Sequence, residues 1–425
     1  MIQLTVAIFA VAYFFIATEK LNRITVVSFG AAAMIITGAV GADEIFFSHE
    51  TGIDWNVLFL LLGMMIIVGV IHKTGLFEYL AIKSIHLAKA QPRRVYIYIL
   101  LLVAFASALL DNVTTVMLAV PMTFLLTKYL NVKAMPFILG EIFISNIGGA
   151  ATLIGDPPNI IIASKAGLSF NSFLANLAPI VLVVMAVVIP FLVFVFRRDL
   201  ANTQADRDSA LKLEPKSFIT DAELLKKSLT VLSVVILAFV THSLTHIEPS
   251  LIAMLGAGSL IYIAKLKVDD YVNDVEWETI LFFAGLFIMV GALVEVGALN
   301  KVATFLADAV GNNGQLAAGI LILFSALLSG IVDNIPYVTS MAPVVAQLNE
   351  SIPSISNDGL WWALALGADF GGNMTIVGAS ANVVALGIAA AQGERISFMG
   401  FLKYGLPVTI LSIAVALPYV LIRYF

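Results

Sequence analysis

The stretch Ala-Leu-Leu-Asp-Asn-Val-Thr at residues 108–114 has a close counterpart, Gly-Ile-Val-Asp-Asn-Ile-Pro, at residues 330–336. Each places an Asp-Asn pair inside a long apolar stretch, where a carboxylate costs about 2.5–3.5 kcal/mol at the centre of a bilayer. The interval from Asp111 to Asp333 is 222 residues, and a proline ten residues after each aspartate keeps the same interval. Because both stretches incur the free-energy cost of a carboxylate within the membrane, we predict a functional role for the Asp-Asn pair. The constant interval predicts an internal duplication.

The composition excludes a water-soluble globular protein. The chain has 425 residues, of which 60% are hydrophobic and only 12% are charged, and its mean hydropathy is +1.00. Soluble proteins carry about 25% charged residues, so this chain has too little polar surface to cover a water-facing body. Apolar runs such as 57–71 and 180–196 suit helices that cross about 30 Å of hydrocarbon, and the alternation typical of membrane barrels is absent. We therefore predict an all-α polytopic membrane protein.

The chain contains no cysteine. This excludes disulfides, thiolate metal sites and cysteine nucleophiles. We predict no cofactor, no metal site and no nucleic-acid partner. The apolar start at residues 2–18 has no small-residue cleavage pattern, which predicts a first membrane span rather than a signal peptide.

Two kinds of interruption divide the spans of the first half. The apolar stretch 95–130 is too long for one untilted span and contains the Asp-Asn pair, which predicts a re-entrant hairpin. The stretch 135–164 contains Gly-Gly-Ala-Ala-Thr-Leu-Ile-Gly-Asp-Pro-Pro-Asn at 148–159. Because proline cannot donate to a helical hydrogen bond and glycine favours breaks, this segment predicts a helix with an unwound centre.

The second half repeats this plan. A hairpin is predicted at about 316–348 and a broken helix at about 359–390, with landmark residues displaced from the first half by 222 to 228 residues. We assign residues 1–198 to an N-terminal repeat, 199–226 to a charged cytoplasmic linker, and 227–425 to a C-terminal repeat.

The number of crossings predicts the orientation of the two halves. Five transmembrane helices and one re-entrant hairpin in each half give an odd number of crossings, so the second copy enters from the opposite face and the repeats are inverted. Under the positive-inside rule, this topology keeps all but three of the 23 Lys and Arg residues on the cytoplasmic side; the exceptions are Lys165, Lys301 and Arg423. We predict a prokaryotic plasma (inner) membrane protein with both termini extracytoplasmic.

The four interruptions are predicted to meet near the membrane midplane. Broken backbone at this depth needs protein or a water-filled cavity to satisfy its polar groups, and helix N-termini there supply partial positive charge. Together they would form a small polar pocket suited to a small hydrophilic solute. The predicted solute- or ion-binding residues are Asp111, Asn112, Thr114, Thr115, Thr152, Asp156, Asn159, Asp333, Asn334, Asp369, Asn373, Thr375, Ser380 and Asn382.

Four of these residues are the proton-coupling candidates: Asp111, Asp156, Asp333 and Asp369. Each could load and release a proton, or hold Na⁺ when ionised, and the sequence leaves open which of them does. The Asp-Asn pairs are also typical of helix caps, a role compatible with ion binding. No Lys or Arg lies within the four breaks, which favours a neutral or singly charged substrate. Glu141 also lies inside a predicted span, and its role stays open.

These motifs resemble those of the ion transporter superfamily. The resemblance spans essentially the whole chain and is carried by residues 111–118, 146–159, 333–336 and 371–383. The most similar branch contains the arsenite efflux permeases (ArsB), the P protein and, more distantly, the NhaD-type Na⁺/H⁺ antiporters. The resemblance implies a homodimer, a scaffold with a mobile transport domain, elevator-like alternating access, and a site at the hairpin tips and unwound segments.

The resemblance also narrows the function. Related dicarboxylate carriers have Ser-Asn-Thr at the tips where this chain has Asp-Asn, which argues against Na⁺-dicarboxylate uptake. We predict a secondary active transporter that exports arsenite or antimonite in exchange for protons, because uncharged As(OH)₃ suits a pocket without cations or thiols. A Na⁺/H⁺ antiporter of NhaD type, or a transporter of another small anion, is the alternative.

Other classes of protein fit less well. Gly-Ala-Asp at 367–369 is faintly similar to the Gly-x-Gly-Asp motif of intramembrane aspartyl proteases, but its second residue differs and a protease would leave the repeat unexplained. We therefore predict no enzymatic activity. A channel would show passive, uncoupled conductance. ATP-driven pumping would need a separate ATPase subunit, because the chain has no nucleotide-binding motif.

Overall fold

A computed structural model describes residues 1–18, 20–48, 51–201, 204–311, 313–352 and 357–425; residues 202 and 203 of the predicted linker lie outside it. Throughout these residues the regular elements are helices, and no strand occurs among them, which confirms the all-α fold. The first half contains α1 (Ile2–Thr18), α2 (Arg23–Ile36), α3 (Ala42–Phe47), α4 (Trp55–His72), α5 (Leu76–Leu87), α6 (Pro92–Leu109), α7 (Asn112–Leu130), α8 (Met135–Gly149), α9 (Pro157–Ala166) and α10 (Phe170–Val195). The linker contains α11 (Gln204–Ala210). The second half contains α12 (Ala222–Thr245), α13 (Pro249–Ala264), α14 (Trp277–Glu295), α15 (Ala298–Val310), α16 (Gly314–Ser329), α17 (Asn334–Ser351), α18 (Gly359–Gly371), α19 (Ser380–Ala391) and α20 (Phe398–Tyr424).

Several helices are long and apolar enough to cross a membrane. Within the described residues there are seven, namely α4, α6, α7, α10, α12, α14 and α20. An eighth results if α13 and the segment Val268–Asp274, bent from it by 118°, form one span. Five more apolar helices, including α8 and α19, have 10–17 residues because a break or a turn ends them early. The chain is therefore a polytopic integral membrane protein.

The helix order of the first half recurs in the second. Helices α12 to α20 follow the order of α1, α2 and α4 to α10, while α3 and α11 have no counterpart. In the two hairpins, α6 and α7 are separated by residues 110–111, and α16 and α17 by residues 330–333. The broken helices are interrupted at 150–156 and 372–379, the latter gap containing a short 3₁₀ turn. Re-entrance of the hairpins and inversion of the repeats stay predictions.

The first arm of each hairpin packs closely on the broken helix of its own half. Helix α6 lies against α8, and α16 lies against α18. A Cβ atom on Gly148 would stand 2.6 Å from the Ala104 carbonyl oxygen, and one on Gly371 would stand 2.5 Å from that of Ala326. Because a real Cβ does not come so close to backbone oxygen, glycine at these two positions allows the helices to touch.

The second arm of each hairpin packs on the other half of the chain. Helix α7 lies against α19, and α17 lies against α9. The remaining close pairs include α4 with α13 and α2 with α14. This crossed arrangement brings both hairpin tips and both helix breaks together in the centre of the molecule.

Candidate functional site

The first hairpin tip is organised by Asp111. Its side chain caps α7, with Oδ1 accepting a hydrogen bond from the Thr114 backbone N at 2.7 Å and Oδ2 accepting one from Thr114 Oγ1 at 2.5 Å. An aspartate at this position satisfies the first backbone N–H groups of the helix. The structure thus places Asp111 and Thr114 together, and Asp111 borders the large cavity described below.

The second tip is organised differently, although its sequence is similar. Asp333 Oδ1 accepts a hydrogen bond from the Ile335 backbone N at 3.2 Å, while Oδ2 accepts hydrogen bonds from Ser380 and, at 2.8 Å, from Arg23 Nη1. Arg23 Nη1 also lies 2.8 Å from Ser380 Oγ. No Lys or Arg lies within the breaks in sequence, but the Arg23 guanidinium reaches this hairpin tip from the start of α2. Sequence offered no signal for it, because Arg23 and Asp333 are 310 residues apart.

The asparagines of both tips converge on one carboxylate. Asn112 Nδ2 donates to Asp156 Oδ2 at 2.7 Å, and Asn334 Nδ2 lies 3.3 Å from each oxygen of the same carboxylate. Asp156 itself lies in the first helix break and is 1% exposed. Equivalent residues of two hairpins therefore meet at a single acidic group in the centre of the molecule.

Asp369 is the second buried carboxylate at this centre. It lies near the end of α18 and is 0% exposed. Neither of its oxygens has a partner at full hydrogen-bond geometry, and the side chain that interacts with the carboxyl is Asn159. It interacts electrostatically with Asp156. Of the four predicted proton-coupling residues, Asp156 and Asp369 are thus an interacting buried pair, whereas Asp111 caps a helix and Asp333 is paired with an arginine.

Two predicted site residues, Asn159 and Asn382, hydrogen-bond to backbone carbonyls at the helix breaks. Asn159 Nδ2 donates to the carbonyl oxygens of Gly149 and Thr152 at 3.3 and 3.1 Å. In the second half, Asn382 Nδ2 donates to those of Gly372 and Thr375 at 2.7 and 2.9 Å. Each asparagine therefore satisfies backbone carbonyls that the interrupted helix has left without partners.

Two predicted site residues, both threonines, connect the helix breaks to the hairpins by hydrogen bonds. Thr152 Oγ1 donates to the Ala108 carbonyl oxygen at 2.5 Å, and Thr375 Oγ1 donates to that of Gly330 at 2.6 Å. The repeated Thr-x-x-Gly-x-x-x-Asn spacing is thus used mainly to hold the backbone of each break in place. The same bonds in both halves explain why this spacing recurs in the sequence.

An asparagine outside the predicted set joins the two broken helices. Asn146 Nδ2 donates to Asn373 Oδ1 and Asn382 Oδ1 at 2.9 Å each, and its Oδ1 accepts from Asn112 at 3.1 Å. Asn146 occupies the position in α8 that Asp369 occupies in α18, 223 residues later. This correspondence with Asp369 is the feature of the sequence from which Asn146 could have been predicted as a site residue. Thr115, by contrast, borders a separate small cavity with Glu141.

A large cavity of about 710 Å³ opens beside the two tips. Its wall includes the segments 21–24 and 275–279, together with Asp111, Pro157 and Ser380. Charged groups on the wall are Arg23, Asp111, Glu276 and Glu278. Since Arg23 is already paired with a buried carboxylate, the cavity is predominantly acidic.

We expect Arg23→Gln to destabilise the protein, because it leaves Asp333, which is 4% exposed, without its cation. Breaking a buried pair costs about 3–5 kcal/mol, and the 25% exposure of Arg23 places the loss at the lower end. Thermal unfolding in detergent measures the effect. The control is Lys133→Gln, which breaks an exposed pair with Asp199 and should matter little. If Asp333→Asn does not restore stability in the Arg23→Gln background, the pair is not the cause.

Glu276, at the cavity mouth just before α14, predicts a pH dependence of stability. Burial and, to a smaller extent, the Asp111 carboxylate together raise the pKa of its carboxyl from 4.5 to about 7, against the opposing effect of a hydrogen bond from Thr279. Between these pH values the folded protein keeps a proton that the unfolded chain has lost. The free energy of unfolding should therefore fall as pH rises from 4.5 to about 7. Unfolding of Glu276→Gln should lack this component, and an unchanged pH profile in that variant would contradict the assignment.

The helices and the buried polar centre define a membrane transporter, and comparisons with known proteins agree. Residues 13–367 match the CitMHS family, described as citrate transporter. The chain belongs to this family. An uncharacterized transporter of Mycobacterium tuberculosis, Rv2685, is 49% identical over 423 residues, covering 99% of each chain. The P protein of Mus musculus is 33% identical over 501 residues, covering 99% of this chain and 60% of its own length.

The solved structure of Neisseria gonorrhoeae MtrF, described with a class of antimetabolite efflux pumps, is similar in fold. Its TM-score is 0.64 at 12% identity, with 98% of each chain covered. The family match and the similarity to named transporters, together with the shared fold, make the chain a membrane transporter. Its relationship to the P protein was predicted from sequence, whereas the ArsB and NhaD relationships stay predictions.

Proposed function

We propose that this transporter is a proton-coupled carrier that exports a small uncharged, hydroxylated solute, with As(OH)₃ as the candidate substrate. The observation that carries the proposal is the Asp156–Asp369 pair, which lies where both hairpin tips converge. Asparagine donors reach Asp156 from both tips, whereas Asp369 has no partner at full hydrogen-bond geometry.

Protonation of one of its two members is the simplest state of this pair. Two ionised carboxylates in a buried position, one of them without a hydrogen-bond donor, would each carry a desolvation penalty of several kcal/mol. Protonation of one member removes most of that penalty. Because Asn112 and Asn334 come from different hairpins, a hairpin movement that withdraws either donor would favour protonation of Asp156. This links proton loading to the geometry of the tips.

The charge of the large cavity supports an uncharged solute. Its wall carries three carboxylates, and its one arginine is neutralised by Asp333. A tricarboxylate such as citrate, which the family description suggests, would meet like charge there. An uncharged hydroxylated molecule needs only neutral donors and acceptors, and Asn22, Thr279 and Ser380 are the uncharged polar side chains on the wall.

Two cavities support alternating access. The large cavity reaches Pro157, the first residue of α9. A second cavity of about 470 Å³ lies along the other end of α9, beside Ser164 and the turn between α12 and α13, and reaches Leu153 in the break. The first helix break thus separates two openings. Elevator-like movement and a homodimer, which the superfamily resemblance implies, complete the proposal.

Proteoliposomes that contain the full chain test the substrate. Uptake of As(OH)₃, Na⁺ and citrate is compared with and without an imposed pH gradient. We expect As(OH)₃ flux that follows the gradient and stops when an ionophore collapses it. Gradient-driven Na⁺ flux alone would establish the antiporter alternative, in which the carboxylate pair holds Na⁺. Citrate flux alone would overturn the argument from cavity charge.

A further inference from the structure

A second buried acidic group lies behind the first hairpin, away from the central pair. Glu141, in the middle of α8, is 0% exposed. Its Oε1 accepts a hydrogen bond from Thr123 of α7, and its Oε2 has no hydrogen-bond partner. The hydroxyls of Thr115 and Tyr96 are also buried without partners. Three unsatisfied polar atoms on neighbouring helices are unusual, since buried polar atoms are normally paired.

A small closed cavity adjoins this carboxyl. It has a volume of about 20 Å³ and is bordered by Glu141 and Thr115, with apolar side chains from α5, α6 and α7 completing the wall. A water molecule needs about 10–15 Å³ of such volume. The cavity therefore has room for one water in contact with both polar residues.

The surroundings of Glu141 favour its neutral form. From α6 the titratable group that interacts with it is Tyr96; α7 presents Thr115 and Thr123, and α5 presents only apolar side chains to the cavity. Within the part of the chain that the structure describes, no charged side chain pairs with this carboxyl. An ionised carboxylate with a single hydrogen bond would be uncompensated here, whereas a neutral carboxyl can donate its proton to water or to Thr115.

We propose that Glu141, with Thr115, Thr123 and one water, forms a second proton-binding site of the carrier. The position in α18 that corresponds to Glu141 is Leu364, 223 residues later, so the site serves the first hairpin alone. Thr115 N donates to the Asp111 carbonyl oxygen at 3.0 Å, which places the site one helical turn behind the tip. Loss of the proton would put a charge between α7 and α8 and loosen the first hairpin.

The test is the infrared spectrum of the purified full-length protein, in which a protonated carboxyl gives a C=O band distinct from that of carboxylate. We expect Glu141→Gln to lose one protonated-carboxyl band. Thr115→Val and Thr123→Val should keep that band but shift its frequency, because each removes a group placed to hydrogen-bond the carboxyl. Asp199→Asn, at the surface, is the control and should leave the band unchanged.

The outcome is independent of the transported solute, since the inference takes from the proposed function only that the chain is a carrier. A purely structural, ionised Glu141 would contribute no protonated-carboxyl band. If the infrared spectrum of Glu141→Gln shows the same protonated-carboxyl bands as the unaltered protein, the proposal is overturned. If Glu141→Gln does not fold, the two threonine variants decide. A band shift in both supports the site, and no shift in either refutes it.

Discussion

Replacing Asp369 by Asn should abolish proton-coupled transport while leaving the fold intact. The side chain has no partner at full hydrogen-bond geometry and only the nearby Asn159 amide interacts with it, so an amide of similar shape removes little and relieves the burial of a second acid beside Asp156. Without a second titratable group, the centre no longer has a pair of acids of which one is protonated. We expect at least a hundredfold loss of gradient-driven flux, equivalent to about 2.7 kcal/mol, with unchanged thermal unfolding.

Asp156→Asn should differ from this variant in one measurable way. Its carboxylate accepts hydrogen bonds from Asn112 and Asn334, and an amide retains only one oxygen to receive them. Each buried donor left without a partner costs about 1–3 kcal/mol. This variant should therefore lose both transport and stability.

Flux in proteoliposomes and unfolding in detergent separate the two variants. Asp199→Asn, which touches only a surface pair, provides the matched control and should retain both properties. Full pH-dependent transport by Asp369→Asn would remove the carboxylate pair from the mechanism.

Gly371→Ala should destabilise the protein strongly, because α16 and α18 touch at this residue. The added Cβ would lie 2.5 Å from the carbonyl oxygen of Ala326, which is backbone and cannot rotate away. Overpacking of this kind costs about 1–3 kcal/mol, and contact with backbone favours the upper end. Gly148→Ala, opposed to Ala104 in the first half, should behave in the same way.

Gly387→Ala in α19 is the control for this prediction, because no atom lies within 4 Å of its added Cβ. Alanine there should stabilise the helix by about 0.5–1 kcal/mol. The unfolding temperatures of the three variants, measured in the same detergent, provide the comparison. Equal values for Gly371→Ala and Gly387→Ala would mean that α16 and α18 separate at little cost.

The interruptions could be predicted from sequence because their causes are local. An Asp-Asn pair in an apolar stretch, or Gly and Pro within a span, alters the backbone where it stands, and the helices end within the predicted ranges. The partners of each side chain could not be predicted. Asn334 reaches Asp156 across 178 residues, and no spacing rule relates them.

The duplicated pattern did not indicate what Thr152 and Asn159 contact. Their hydroxyl and amide N–H groups donate to backbone carbonyls, and their assignment as ligands stays a prediction. Recurrence reflects the shared geometry of a broken helix. Two of the residues proposed for proton binding lie at positions where the two halves differ. Asp369 of the second half corresponds to Asn146 of the first, and Glu141 of the first half corresponds to Leu364 of the second.

The crossed packing of the hairpins has a consequence for biosynthesis. Helix α7 lies against α19 and α9 lies against α17, so neither half contains all the surfaces that cover its own broken helix. The amino-terminal half emerges from the ribosome first and must wait, with α7 and α9 incompletely packed, until the last quarter of the chain has been inserted. Final packing of the first broken helix therefore has to follow the insertion of α17 and α19.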